Sequence, residues 1–185
     1  VCSSDLQLSQ YYGAKDFENL RKSLAHSYRL TAFIAAGVLI LSQLFASLVL
    51  TGLHTPSNII GMSLLYLRII FCGIPATAAY NMFASALRAM GNSKTPLTAM
   101  IIASVLNVSL DILFVAGFGW GVAGAAIATV IAQSFSAVYC FLILRRIDIV
   151  HLTRADFMPA SGMNARLMKL GIPVVFQNII IGVGG

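Results

Sequence analysis

What most limits the folds open to this chain is the length of its uncharged runs: neither Leu30 to Leu53 nor Gly121 to Leu144 holds a single charged residue. A helix crosses a hydrocarbon core of roughly 30 Å with about 20 apolar residues, so each run is long enough to span a bilayer. Two more candidates flank them. Pro56 to Met90 is charged only at Arg68 and Arg88, Pro96 to Phe118 carries a single acid, Asp111, and another apolar run starts at Ile172. The spacing predicts an all-α, polytopic membrane protein with its bilayer as the first partner. Composition closes off the alternatives, since 58% hydrophobic and 10% charged residues lie far from the roughly 25% charge of a soluble domain. The scattered cysteines do not form the framework of a disulfide-stapled fold.

Punctuation sets the limits of the spans. Thr55-Pro56 and Thr95-Pro96 each offer an N-cap followed by proline at the first helical position, and Gly91 after Met90 offers a helix stop. The run from Pro56 to Met90 would be about 52 Å long as one helix, too long for the core. Its first turns, up to about Arg68, are therefore expected at the membrane surface, with a kink near Pro75.

Lysine and arginine alternate between the connecting segments. Lys15, Arg21, Lys22 and Arg29 precede the first run, Arg88 and Lys94 lie between the second and third, and five basic residues fall between Arg145 and Lys169. The intervening turns, His54 to Ser57 and Gly119 to Gly121, have none. By the positive-inside rule, residues 7–29, 88–95 and 145–171 are cytoplasmic in a multi-pass protein of the cell (inner) membrane. This distribution also accounts for the net charge of +6 without nucleic acid as a partner. Trp120, in the outward turn, reads as an interfacial anchor. The long basic stretch 145–171 reads as a linker, with an amphipathic helix from Asn164 to Leu170.

Both ends read as cut. The chain opens on Val1 rather than Met, and Val1-Cys2-Ser3-Ser4-Asp5-Leu6 matches the translation of a common sequencing-adapter end, so residues 1–6 are set aside as a scar. Only Cys72 and Cys140 then remain, and two isolated thiols imply neither a disulfide nor a metal site.

Polar residues inside the spans are few and patterned. Asn107 lies one helical turn before Asp111, and Ser104 lies three residues before Asn107, which makes a polar stripe on an apolar helix. A charge in hydrocarbon costs a few kcal/mol even on lenient scales, so such a stripe faces protein or a cavity. In the next span Thr129, Gln133 and Ser136 share a face, beside the small residues Gly121, Gly124, Ala125, Ala128 and Ala132. The short outward turn makes these spans antiparallel neighbours, with Thr129 near the depth of Asp111. Taken by themselves, the residues leave two readings open: interhelical glue, or a cation or proton site built from a carboxylate, an amide and a hydroxyl. No metal-binding histidine pair, nucleophile elbow, phosphate loop or Cys-x-x-Cys occurs, and His26, His54 and His151 all fall in segments expected to connect spans, so no catalytic residue is expected.

Four stretches together resemble one family: Gln10-Tyr11-Tyr12-Gly13-Ala14-Lys15-Asp16, Leu87-Arg88-Ala89-Met90-Gly91-Asn92-Ser93-Lys94-Thr95-Pro96, Leu106-Asn107-Val108-Ser109-Leu110-Asp111, and Gly121-Val122-Ala123-Gly124-Ala125-Ala126-Ile127-Ala128-Thr129. In order and spacing they are similar to the multidrug and toxic compound extrusion (MATE) family, prokaryotic branch. The resemblance implies twelve spans in two six-helix bundles, with this chain a fragment: a loop after span two at residues 7–29, spans three to six at 30–144, the inter-bundle linker at 145–171 and the start of span seven at 172–185. It further implies a secondary-active antiporter that exports drugs and other amphipathic or cationic organic compounds, driven by Na⁺ or H⁺ and needing no cofactor. Asp111, Asn107 and Thr129 would then belong to a cation site in the N-terminal bundle, Na⁺ being its only metal. Tyr66 and Gln133 would line the lobe, and the C-terminal bundle of the same chain would be the missing partner. The rivals are a flippase for lipid-linked sugars of related architecture, which would want several cations in its cavity, and a non-transporting membrane scaffold.

Overall fold

The computed structural model describes residues 2–52 and 59–147, with side chains from Leu8 onward. Among these residues the chain is helical and contains no strand. It runs α1 (Cys2–Gly13), α2 (Phe17–Gly52), α3 (Ile60–Cys72), α4 (Ile74–Ala89), α5 (Lys94–Asp111), a π-helical segment (Ile112–Gly117) and α6 (Gly121–Arg145). Among the described residues four stretches are long and apolar enough to cross a membrane: Phe17–Gly52, Ile60–Ala89, Lys94–Gly117 and Gly121–Arg145. The expected spans are therefore present, in up-and-down order. The residues proposed as the amphipathic helix, most of the linker, the seventh span, Thr55-Pro56, His54 and His151 lie outside the described residues.

The stretch 7–29, expected as a loop, is instead helical on both sides of a turn at residues 14–16. Its basic residues mark a water-facing segment but do not oppose helix formation. Its leucines bury, with Leu8, Leu20 and Leu24 each 1% exposed in a core shared with Leu87, Cys140 and Leu144. His26 is likewise no connecting residue; it lies inside α2 and is buried. At 36 residues, α2 measures about 54 Å, so its first turns extend past a hydrocarbon core of roughly 30 Å.

Two helix junctions at this basic end are built alike. Past α1, Lys15 takes a left-handed φ of 56°, and the Asp16 and Lys15 amides donate to the carbonyls of Tyr11 and Tyr12 at 3.0 and 3.1 Å. Past α4, Gly91 takes φ 82°, and the Asn92 and Gly91 amides donate to Leu87 and Arg88, both at 2.9 Å. Both are Schellman stops. The residue that completes each stop also caps the next helix. Asp16 Oδ1 accepts the Asn19 amide at 3.2 Å, and Asn92 Oδ1 accepts the Thr95 amide at 3.1 Å. The expected Thr95 cap is thus corrected: α5 begins at Lys94, because the Asn92 side chain reaches the orphan amide first.

The kink expected near Pro75 is present as a break at Gly73, with Pro75 in the first turn of α4. The break lets α6 come close. A Cβ on Gly73 would lie 3.1 Å from Val130 Cγ2 and 3.2 Å from Gln133 Oε1. Around α6, which packs against α3, α4 and α5, the buried residues are mostly small: Gly124, Ala126, Ala128, Ala132, Ser136 and Ala137. Large apolar side chains point outward, Phe33 at 74% and Leu44 at 71% exposed among them, as a lipid-facing surface requires.

Candidate functional site

The polar residues of α4, α5 and α6 converge. They line a cleft of about 330 Å³ whose walls carry Thr77, Asn81, Ser104, Asn107, Thr129 and Gln133, together with Tyr80 and Met100. Each helix contributes one stripe, which is what residues three and four apart on a helix must do. Tyr80 is held by its hydroxyl, which donates to the Pro96 carbonyl at 3.3 Å.

Inside the cleft the amides and hydroxyls are partnered in a definite pattern. Asn107 Nδ2 donates to Thr129 Oγ1 at 3.4 Å, and the Thr129 hydroxyl donates to its own helix at the Ala125 carbonyl, 3.0 Å away. That leaves the Asn107 carbonyl oxygen as an acceptor for something else. The Thr77 hydroxyl sits 2.5 Å from Gln133 Oε1 and 3.2 Å from the Gly73 carbonyl. Among the described residues no carboxylate or basic group lines the cleft wall.

Asp111 lies one turn beyond Asn107, outside that lining, as the last α-helical residue before the π-helical segment. Its Oδ1 is buried without a hydrogen-bond partner among the described residues. A buried carboxylate oxygen without a donor is expensive, and a bound cation would relieve it. The oxygens of Asp111, Asn107 and Thr129 suit a hard cation. The π-helical turn after Asp111 was not foreseen from sequence; such turns widen a helix locally and recur at functional sites. It is held by ring packing of Phe114 with Phe118 and Trp120, at 6.1 and 5.2 Å between centroids.

The structure therefore brings Asn107, Thr129 and Gln133 into one cleft, with Asp111 adjoining it. Tyr66 stands apart on α3, 37% exposed, and does not line the cleft. Thr77 and Asn81 were missed as lining residues; their signal was available, as polar residues four apart in an apolar helix.

Several long apolar helices enclosing a polar cleft define a polytopic α-helical membrane protein. The chain belongs to the MatE family, whose model matches residues 3–113, so the resemblance to multidrug and toxic compound extrusion proteins holds. It is 33% identical over 174 residues to the probable multidrug resistance protein YpnP of Bacillus subtilis (strain 168), covering 94% of this chain and 39% of that protein. It is 25% identical over 181 residues to the multidrug export protein MepA of Staphylococcus saprophyticus, covering 96% of this chain and 40% of the relative. A crystal structure of MATE in the bent conformation superposes with a TM-score of 0.91 at 22% identity, over 98% of this chain and 41% of that one. The chain thus spans about 40% of the length of these relatives.

Proposed function

We propose that this chain is the greater part of the N-terminal bundle of a cation-coupled exporter of amphipathic or cationic organic compounds, with its basic segments on the cytoplasmic side of the cell membrane. The observation that carries this reading is the juxtaposition of a neutral, hydrogen-bonding cleft with the buried, unpartnered Asp111 oxygen at its edge. The names of the relatives, a multidrug resistance protein and a multidrug export protein, support the substrate class.

Coupling in such a site needs only that cation and organic substrate disfavour one another. Na⁺ or H⁺ at Asp111 would draw in the Asn107 carbonyl oxygen and the Thr129 hydroxyl, and with them the wall of the cleft. A substrate held in the cleft would then leave more readily, and the gradient of the ion would drive export. Among the described residues the lining carries no basic side chain, which suits organic cations and neutral amphiphiles better than pyrophosphate-linked sugars. The test is efflux of a fluorescent organic cation from cells carrying the full-length gene, wild type or Asp111→Asn, with Na⁺ and pH gradients set separately. Gradient-driven efflux that the substitution abolishes at equal membrane abundance is expected; undiminished efflux by Asp111→Asn would overturn the assignment.

A further inference from the structure

The break between α3 and α4 and the cleft share one hydrogen bond. The Thr77 hydroxyl has a single proton and two acceptors within reach, Gln133 Oε1 on α6 at 2.5 Å and the Gly73 carbonyl on its own helix at 3.2 Å. Gln133 and Thr77 both line the cleft. Gln133 Oε1 also stands 3.2 Å from where a Gly73 Cβ would be, so its amide is seated directly against the break. Pro75, which has no amide hydrogen, follows two residues later and leaves the backbone there short of a donor. At that point α3 and α4 are joined through one glycine rather than a continuous ladder, and the bond from Thr77 to Gln133 ties the junction to α6.

The geometry points to Gln133 and Thr77 as a latch that couples occupancy of the cleft to the angle between α3 and α4. A substrate that hydrogen-bonds the Gln133 amide competes with Thr77 for it. The displaced hydroxyl turns to the Gly73 carbonyl, an i to i−4 bond of the kind that bends helices. The bend at Gly73 then follows the ligand. Gln133 is a positioning residue in this scheme as well as a wall of the cleft. The inference rests on the export reading for its ligand, but the latch can be measured without one.

The experiment uses the full-length protein in nanodiscs, its other reactive cysteines replaced, with spin labels at Met62 on α3 and Leu142 on α6, which are 55% and 52% exposed. Ethidium, an organic cation whose aryl amines can donate to the Gln133 side-chain oxygen, is the probe. In the wild type the probe is expected to shift the distance between the labels. Thr77→Val keeps the shape but has no hydroxyl to turn to the Gly73 carbonyl, so the distance between its labels is expected to stay unchanged when the probe binds. It should also bind the probe about two- to tenfold more tightly, because one competing hydrogen bond no longer has to be displaced. Thr77→Ser keeps the hydroxyl and should keep the probe-dependent shift. Gln133→Ala leaves the Thr77 hydroxyl to the Gly73 carbonyl and should show the shifted distance without probe, which keeps the test open should Thr77→Val not fold. A folded Thr77→Val that shifts with probe as the wild type does overturns the latch, as does a Gln133→Ala whose probe-free distance is that of the wild type, or weaker binding by Thr77→Val, which would make Thr77 a wall and nothing more. Wild type that binds no probe overturns the export reading instead, and the competition with it.

Discussion

Gly124→Ala isolates the contact that sets the spacing of α6 and the π-helical segment that continues α5. A Cβ added at Gly124 would lie 2.9 Å from Phe114 Cβ and 3.2 Å from Phe114 C, with Trp120 Cβ at 3.1 Å. Carbon atoms settle at about 3.5–4.0 Å, so a methyl group forces a separation of at least ~0.6 Å. The atoms in the way are a Cβ and backbone rather than the end of a mobile side chain, so the helices themselves must part. Over-packing of this kind costs about 1–3 kcal/mol. Ala gains up to about 1 kcal/mol over Gly in a helix interior, and less in a first turn such as this one. The net expectation is a loss of about 1–2 kcal/mol, read as a lower thermal unfolding midpoint of the full-length protein in nanodiscs. Function should suffer more than stability. Asn107 and Thr129 are already 3.4 Å apart, and a further ~0.6 Å takes them beyond hydrogen-bond range. The dependence of substrate binding on Na⁺ or pH should therefore weaken in a variant that still folds. Gly124→Ala with an unchanged or raised midpoint and wild-type ion dependence would refute the reasoning.

Two further predictions concern the junctions at the basic end. Gly91→Ala meets no neighbouring atom, yet must hold φ 82°, so it should cost about 1–2 kcal/mol of left-handed strain, while Lys15→Gly at the equivalent site should raise the unfolding midpoint. For Asp16, the Asn19 side-chain hydrogen bond and then the Asn19 amide hold the carboxyl below its ordinary range. A lowered folded pKa stabilises above the unfolded value, and the benefit is lost as pH falls through the folded one. Protection of the amides in the first turn of α2, relative to their intrinsic exchange at each pH, should therefore fall on acidification below the ordinary aspartate range, and Asp16→Asn should flatten that dependence; a wild-type turn whose protection is indifferent to acid would contradict the cap.

Much of this was legible in the sequence, and the limits have physical reasons. The spans could be read because only uncharged runs suit lipid. The stop at Gly91 could be read because few residues other than glycine take a left-handed φ. Asn107, Thr129 and Gln133 could be placed on common faces by helical spacing alone. The helical character of residues 7–29 was hidden because charge marks exposure to water rather than secondary structure, and the leucines that bury there are too few for a strong period. Lys15 in a left-handed stop carries no sequence signal, whereas Gly91 in the same role does. The π-helical turn after Asp111 and the pairing of Thr77 with Gln133 depend on how α4, α5 and α6 pack. No local pattern specifies them, although the small residues of α6 announced that packing would be close.

The central claim is that a cation at Asp111 and an organic substrate in the adjoining cleft oppose one another. The most direct test is the affinity of the purified full-length protein for tetraphenylphosphonium, titrated across Na⁺ concentration and pH, in wild type and Asp111→Asn. The account expects affinity to fall as Na⁺ or H⁺ rises in the wild type and to lose that dependence in Asp111→Asn; wild-type affinity indifferent to both ions, or an ion dependence that survives the substitution, would contradict it.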